Sequence, residues 1–347
     1  MSRCDVSIEF DRPDRKYRGG ESVAGFVHVV AHQAMTYDSI TLACFWRCHG
    51  YGLPVTKPVH GALIDDKANL SAGERRSFPF SFEAPPEPLT YHGEDLNIDQ
   101  YVCVEVDVPT GKIQEYTEQY QLVPGVAPGS LNREGNEPGR VASDTGPKQG
   151  WAFSLVLLFI AAASFLVAPI FGYFFLGILV LSWVHALLLK GQLRSFVVTT
   201  PNTVVGVGGD YALTVSCTPR MSLSLRGIRV KLRCLEQSKD YPDHEEGVAV
   251  TNPTTISQEV YQNEKMYSEG VVLKAGQRFT TEIRGTIPQT EAYSFATGHG
   301  DVWEERVCAV RWELQVSVST RLFAGWTGSI PLQVVPSGFL EDANTEG

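Results

Sequence analysis

The sequence predicts a mainly β chain: two tandem antiparallel β-sandwiches separated by a two-helix transmembrane hairpin. Three observations carry that expectation. Short runs rich in Val, Ile, Phe and Tyr, bounded by Gly, Pro and Asp, recur on both sides of the centre. A set of landmarks occurs twice in the same order. Between the two copies, residues 151–189 contain no Asp, Glu, Lys or Arg.

The 347 residues suggest two domains. A net charge of −10 and scattered Lys and Arg exclude nucleic acid as a partner, which would need a basic face. Seven cysteines, most inside strand-like runs, fit buried free thiols in a reducing compartment. The amino terminus carries no apolar run of the kind that begins a secretory leader.

The first copy covers 1–124. Its strands are read at "VSIEF", "SVAGFVHVV", "SITLACFW", "SFPFSF" and "YVCVEVDV". Alternation of apolar and polar residues in the last of these marks a sheet with one wet face. Residues 125–150 are rich in Gly, Pro, Ser and Asn and read as a flexible linker. Residues 151–190 are nearly twice the ~20 residues that cross a bilayer. Pro169 and Gly172 sit where a break is needed, so two short helices are expected, 151–168 and 172–190. Trp151, Tyr173 and Trp183 serve as interfacial anchors of that hairpin, and Lys190 with Arg194 flanks it. The basic flanks place both β domains on the cytoplasmic side of an integral membrane protein, with the lipid bilayer as a partner. The second copy covers 193–337, and 338–347 is an acidic tail expected to be disordered.

The repeat is legible residue by residue. Gly19-Gly20-Glu21 aligns with Gly208-Gly209-Asp210, Ile40 with Ile228, and Leu42 with Val230. Ala72-Gly73 aligns with Ala275-Gly276, and Pro85 with Pro288. Last comes His92-Gly93 against His299-Gly300. The main insertion of the second copy falls between Glu236 and Val271.

"TYHGED" and "TGHGD" raise the question of chemistry. A metal or acid–base site would draw on His92, Asp95, Glu94 and Asp99, or on His299, Asp301, Glu304 and Glu305. Their spacing fits no metal template. A corner built twice is the preferred reading, with the glycine making a sharp turn and the acid accepting backbone N–H bonds. Cys44-x3-Cys48-His49 has no second ligand pair and reads as strand. No nucleophile-elbow, phosphate-loop, zincin or dinucleotide motif is present. No catalytic residue and no cofactor is expected.

"YRGGESVAGFVHV", "ITLACF" and "GERRSFPFSFEAPPEPLTYHGEDLNIDQYVCVEVDV" resemble the amino-terminal half of arrestin-fold proteins. The matching positions are Gly20-Glu21, Gly25-Phe26-Val27, Phe78 to Phe82, Leu89 to Gly93, and Ile98 with Tyr101 to Val106. One extra residue stands between Ile98 and Tyr101, and the second copy has Trp312 where a Tyr is usual. The resemblance covers about 270 residues and includes the arrestin-fold subunit of the retromer coat among its relatives. It implies a scaffold or adaptor for protein partners in trafficking or coat-like assembly, not an enzyme. The alternatives are a membrane-shaping hairpin protein, or a hydrolase or metal-dependent enzyme using the His92 and His299 loops. A homo-oligomer is left open.

Overall fold

The computed structural model describes residues 3–50, 54–109, 114–125, 138–142, 196–219, 222–240, 254–297, 306–320, 326–337 and 339, with 173, 177, 178 and 180 from the central block. In the first half the strands are β1 (Cys4–Phe10), β2 (Lys16–Arg18), β3 (Ser22–Ala31), β4 (Met35–Gly50), β5 (Val55–Leu70), β6 (Arg75–Glu83), β7 (Tyr91–His92), β8 (Leu96–Asp107) and β9 (Gln114–Val123). The second half opens with β10 (Gly139–Ala142), β11 (Val197–Thr200), β12 (Val204–Gly206), β13 (Asp210–Cys217) and β14 (Leu223–Asp240). It continues with β15 (Thr254–Tyr267), β16 (Val272–Leu273), β17 (Phe279–Thr286), β18 (Phe295–Ala296), β19 (Arg306–Thr320) and β20 (Trp326–Val335).

Both halves are two-sheet sandwiches with one topology, to which the second adds β10 on one sheet and β16 beside β14 on the other. The first pairs a β1-β3-β6 sheet with a β2-β9-β8-β4-β5 sheet, β7 lying beside β8. The second pairs β10-β11-β13-β17 with β12-β20-β19-β14-β15, β18 lying beside β19. Even the parallel pairs agree: β2 with β9, and β12 with β20. The duplication is therefore a property of the fold and not only of the letters.

Details of the turns follow the repeat. Gly73 and Gly276 both take positive φ, 77° and 73°, in matching turns closed by Glu74 N–H to Ser71 O and Gln277 N–H to Lys274 O. An added Cβ would disfavour that backbone at either position. The Gly-Gly-acid alignment shifts by one. Positive φ falls on Gly20 and on Gly208, and Ala84 N–H to Glu21 O is matched by Ile287 N–H to Gly209 O. Ile40 and Ile228 are both fully buried, as aligned.

Two long strands carry no clear signal in the sequence, for a physical reason. β5 is an edge strand, bonded only to β4 among the described strands. It carries Pro58, Gly61 and the pair Asp65-Asp66, and its register with β4 shifts twice. Bulges, proline and charge are how edges resist further pairing, and they also erase the alternation that marks a strand. β15, the matching edge, is polar along most of its exposed side.

The stretch expected as a flexible linker contains a strand. Gly139–Ala142 pairs antiparallel with β11, Gly139 opposite Thr200 and Ala142 opposite Val197. Residues 142 and 197 are thus cross-strand neighbours, so the chain leaves and re-enters the second sandwich at one place.

The fold class needs correction at the centre. Among the described residues there is no two-helix transmembrane hairpin between the sandwiches, and no helix is long and apolar enough to cross a membrane. A span needs about 20 consecutive residues whose backbone groups bond to one another, and such a run is not described. Only Tyr173, Gly177, Ile178 and Val180 of the block are described, with helical backbone at those single positions. Tyr173 is 68% exposed. The other expected anchors, Trp151, Pro169, Gly172, Trp183 and Lys190, lie outside the described residues, as does the tail 338–347 apart from Phe339. The integral-membrane placement and the cytoplasmic orientation drawn from it lose their structural basis with the spanning helices.

The first sandwich has its own core, in which Phe10, Tyr17, Phe80, Phe82 and Tyr120 meet edge-to-face or tilted. The second core is not confined to its sandwich. It continues into Trp46, Cys48, Val55, Tyr91, Leu96 and Ile98 of the first half. Shared burial of this kind joins the two sandwiches through packed side chains, at the end where β4 and β8 reach β14 and β19.

Candidate functional site

The junction is built from the same parts twice. On β14, one face carries Ile228, Val230, Leu232, Cys234, Glu236 and Ser238 at period two, all buried. The apolar face thus runs into a carboxylate. Glu236 is 2% exposed and its oxygens are filled from the first sandwich. The Tyr91 hydroxyl donates to Oε1 at 2.6 Å, the Glu94 N–H to Oε1 at 3.2 Å, and the Asp95 N–H to Oε2 at 2.8 Å. A buried carboxylate is tolerated when its lone pairs are met in this way. Burial pushes the Tyr91 phenol above its ordinary range, reinforced by its bond to Glu236.

Gly93 explains the His-Gly-acid motif. A Cβ at this position would stand 1.8 Å from Glu236 Oε1. The glycine is needed for close approach between the halves. The acid that accepts backbone N–H groups is Glu236 from the other sandwich; Asp95 contributes its own N–H. Expected roles and observed roles are therefore exchanged at this corner.

The equivalent place in the first sandwich is Cys48, since Cys48 pairs with Ile98 across β4–β8 as Glu236 pairs with Val310 across β14–β19. Cys48 and Cys308 of the second sandwich are buried in one continuous cluster. The neighbouring Cys308 thiol and burial together raise the Cys48 thiol above its ordinary value. Beside them Trp46 packs edge-to-face on Phe295, with centroids 5.8 Å apart. Lys57 donates to the Thr297 carbonyl at 2.9 Å, a further bond between the halves. Cys234 stands where Trp46 stands in the repeat; burial and then Glu236 push its thiol up to about 12.

His92 is placed on β7 with its side chain 58% exposed. Its Nε2 lies 2.9 Å from Asp99 Oδ1, and His49 Nε2 lies 2.6 Å from Asp99 Oδ2. One largely buried carboxylate thus orients two imidazoles. This arrangement brings together the candidates His92 and Asp99 and adds His49, whose sequence context marks it only as strand. Among the described residues, no group of three or more His, Cys, Asp or Glu is disposed to hold a metal ion.

His299, Asp301, Glu304 and Glu305 lie outside the described residues, but their flanks decide the alignment. Gly93 N–H bonds to Leu96 O, and Thr297 N–H bonds to Cys308 O. Thr297 is therefore the counterpart of Gly93, and Ala296 that of His92. In this register Ala296, and not His299, is the counterpart of His92. The same shift moves Trp312 from Tyr101 to Gln100. Gln100 Nε2 donates to Pro88 O at 2.7 Å and Trp312 Nε1 to Ala292 O at 2.6 Å.

A cleft of about 620 Å³ opens beside this junction. Pro86, Leu89 and Tyr91 line it from the first sandwich, Tyr293, Phe295 and Gln333 from the second. Burial in the cleft wall raises the Tyr293 phenol and the Glu87 carboxyl above their ordinary values. The signal that could have located the site is Glu236 itself, a lone acid in phase with four buried apolar residues.

No family model matches the chain, and no curated protein matches it. Among solved structures it is similar, at a TM-score of 0.32 and 19% identity, to the crystal structure of Spo0M, a sporulation control protein from Bacillus subtilis. The match covers 36% of this chain and 51% of that chain. This chain therefore spans about half the length of that structure.

Proposed function

We propose that the chain is a non-enzymatic scaffold whose paired sandwiches bind a protein partner at the cleft beside their junction. The supporting observation is the cleft's construction: its walls are strands and strand ends of both halves, held in register by Glu236 and by a shared apolar core. A site placed on packed strands presents a fixed surface at little ordering cost. The mixture of Tyr, Phe, Pro and Leu suits apolar and aromatic side chains of a peptide segment. An adaptor role in trafficking or coat-like assembly is what the resemblance to arrestin-fold proteins adds.

The test is affinity capture with the full chain and with an Ala296→Arg/Gln333→Arg double variant, both checked for native circular dichroism. Ala296 and Gln333 line the cleft without belonging to the buried core. A partner held by the parent chain and lost by the variant supports the reading. Equal capture by both removes the cleft from it. The enzyme reading is separated by His92→Ala, which breaks the link to Asp99; the scaffold reading expects partner binding to survive.

A further inference from the structure

We propose that the chain pairs with a second copy of itself through β17, the outer strand of the smaller sheet of the second sandwich, so that two such sheets join edge to edge about a two-fold axis at Ile283.

The backbone groups that the edge leaves open come first. Among the described strands β17 bonds only to β13, and their register runs without a shift from Phe279 to Thr286. Just beyond it, Ile287 N–H bonds to Gly209 O. An antiparallel ladder alternates from such a bond. Residues 279, 281, 283 and 285 therefore face β13, while Thr280, Glu282, Arg284 and Thr286 turn their N–H and C=O groups outward. Tyr267 agrees with that direction, for its hydroxyl donates to the outward Arg284 carbonyl at 3.4 Å. A carbonyl oxygen has two lone pairs, so a partner strand can bond there as well.

The repeat shows the same edge built in two ways. Ala84 N–H to Glu21 O matches Ile287 N–H to Gly209 O. Counting back equally from both bonds sets Pro79 of β6 where Glu282 stands in β17. The Pro79 nitrogen, which carries no hydrogen, thus faces the open side of β6. Proline at such a place blocks further pairing, and β17 lacks it. The long edges β5 and β15 are interrupted by register shifts. β1 is continuous, but its charged residues, Asp5 and Glu9, are both acidic, so two copies of it repel.

Charge then selects the partner and the register. Glu282 and Arg284 are exposed on one face of β17 and bond to each other at 2.8 Å. In an antiparallel pair centred on Ile283, Glu282 of each copy lies opposite Arg284 of the other, and Thr280 opposite Thr286. These are the outward residues, so the pairing makes roughly eight backbone bonds. The neighbouring registers that keep such bonds set Glu282 against Glu282 or Arg284 against Arg284, and like charges directly opposite are destabilising. A strand complementary to itself makes a closed, isologous dimer and not an open fibre. β17 does not line the cleft, so this pairing stands apart from the partner-binding reading.

Sedimentation of the full chain over a wide range of concentration tests it, with a monomer–dimer equilibrium expected. Glu282→Pro transfers the block found on β6 and should leave a folded monomer. Glu282→Arg sets arginine against arginine twice and should weaken the dimer about tenfold or more. Adding Arg284→Glu to that variant restores the complementarity and should return the dissociation constant to within about threefold of the parent's. The two charge variants decide the matter even if the proline variant fails to fold. A parent chain that stays monomeric at every concentration, a folded Glu282→Pro variant that still dimerises, or a charge-swapped variant as weak as Glu282→Arg would each overturn the proposal.

Discussion

Cys48 and Glu236 occupy the same position in two copies of one fold, and the two copies use it differently. In the second sandwich the position holds a carboxylate that reaches across and takes three donors from the first. In the first it holds a buried thiol that joins the core shared with the second. The equivalent strand ends thus meet the other half by different means, one through a fixed polar clasp and the other through buried packing. The comparison predicts that the Glu236 end carries most of the junction's stability under reducing conditions.

The largest expected effect follows. Glu236→Ala strands two backbone N–H groups and the Tyr91 hydroxyl in a buried place, at about 3–5 kcal/mol of unfolding free energy. Cys48→Ala removes one buried sulfur from the shared core, at about 1–2 kcal/mol. Urea unfolding of both variants under reducing conditions measures the difference. Equal losses would show that the two ends share the load.

A second comparison sets close approach against backbone conformation. Gly93→Ala drives a methyl into Glu236 and should cost about 3 kcal/mol, the junction parting before either sandwich unfolds. Gly276→Ala meets open space and is penalised only through its positive φ of 73°, by about 1 kcal/mol. Thermal unfolding orders the two. A Gly276 variant as damaged as the Gly93 variant would refute the assignment of Gly93 to contact between the halves.

What the sequence discloses, and what it hides, follows from the range of the forces involved. Strand identity is local: alternation at β8 and β19, turn glycines at Gly73 and Gly276, and aligned isoleucines at Ile40 and Ile228 are all readable, and both sandwiches with them. The edge strand β5 is hidden because defence of an edge removes the very pattern that marks a strand. The junction is hidden because its partners are far apart in the chain. Tyr91 and Glu236 are separated by 145 positions, and no local spacing announces that they meet. The repeat nearly discloses it, but short motifs align by letters alone. "HGED" draws His299 into a false equivalence, where the backbone bonds of Gly93 and Thr297 give the true one. The central block shows the reverse error: its composition suggests two spanning helices, and no spanning helix is found among the described residues.

The corrected register makes a sharper comparison between Trp312 and Gln100. Each donates one side-chain N–H to a loop carbonyl, but Gln100 also buries an Oε1 with no partner among the described residues. Trp312→Phe leaves the Ala292 carbonyl unmet and a gap behind it, for about 2–3 kcal/mol. Gln100→Met forfeits its bond to Pro88 yet removes a buried orphan acceptor, so the net loss is about 1 kcal/mol or less. Paired denaturation curves decide between this and a simple equivalence of the two staples.

A comparably small effect belongs to the best-preserved feature. Thr90 N–H bonds to Leu122 O while Thr90 Oγ1 accepts from Leu122 N–H at 2.9 Å. In the second sandwich, Ser294 N–H bonds to Val334 O while Ser294 Oγ accepts from Val334 N–H at 2.7 Å. The loop that leads to the junction is thus tied twice to the last strand of its own sandwich. Thr90→Val deletes one of the two ties, for about 1 kcal/mol, and Ser294→Ala deletes one together with the Ser294 Oγ donation to Leu332 O at 3.3 Å, for about 1–2 kcal/mol. Because each tie is internal to one sandwich, the losses should add in the double variant. Amide exchange should quicken at Leu122 in the first variant and at Val334 in the second, with no crossing over. Faster exchange at Val334 in Thr90→Val would mean that the two loops communicate through the junction, and that the clasp at Glu236 couples the sandwiches dynamically as well as holding them together.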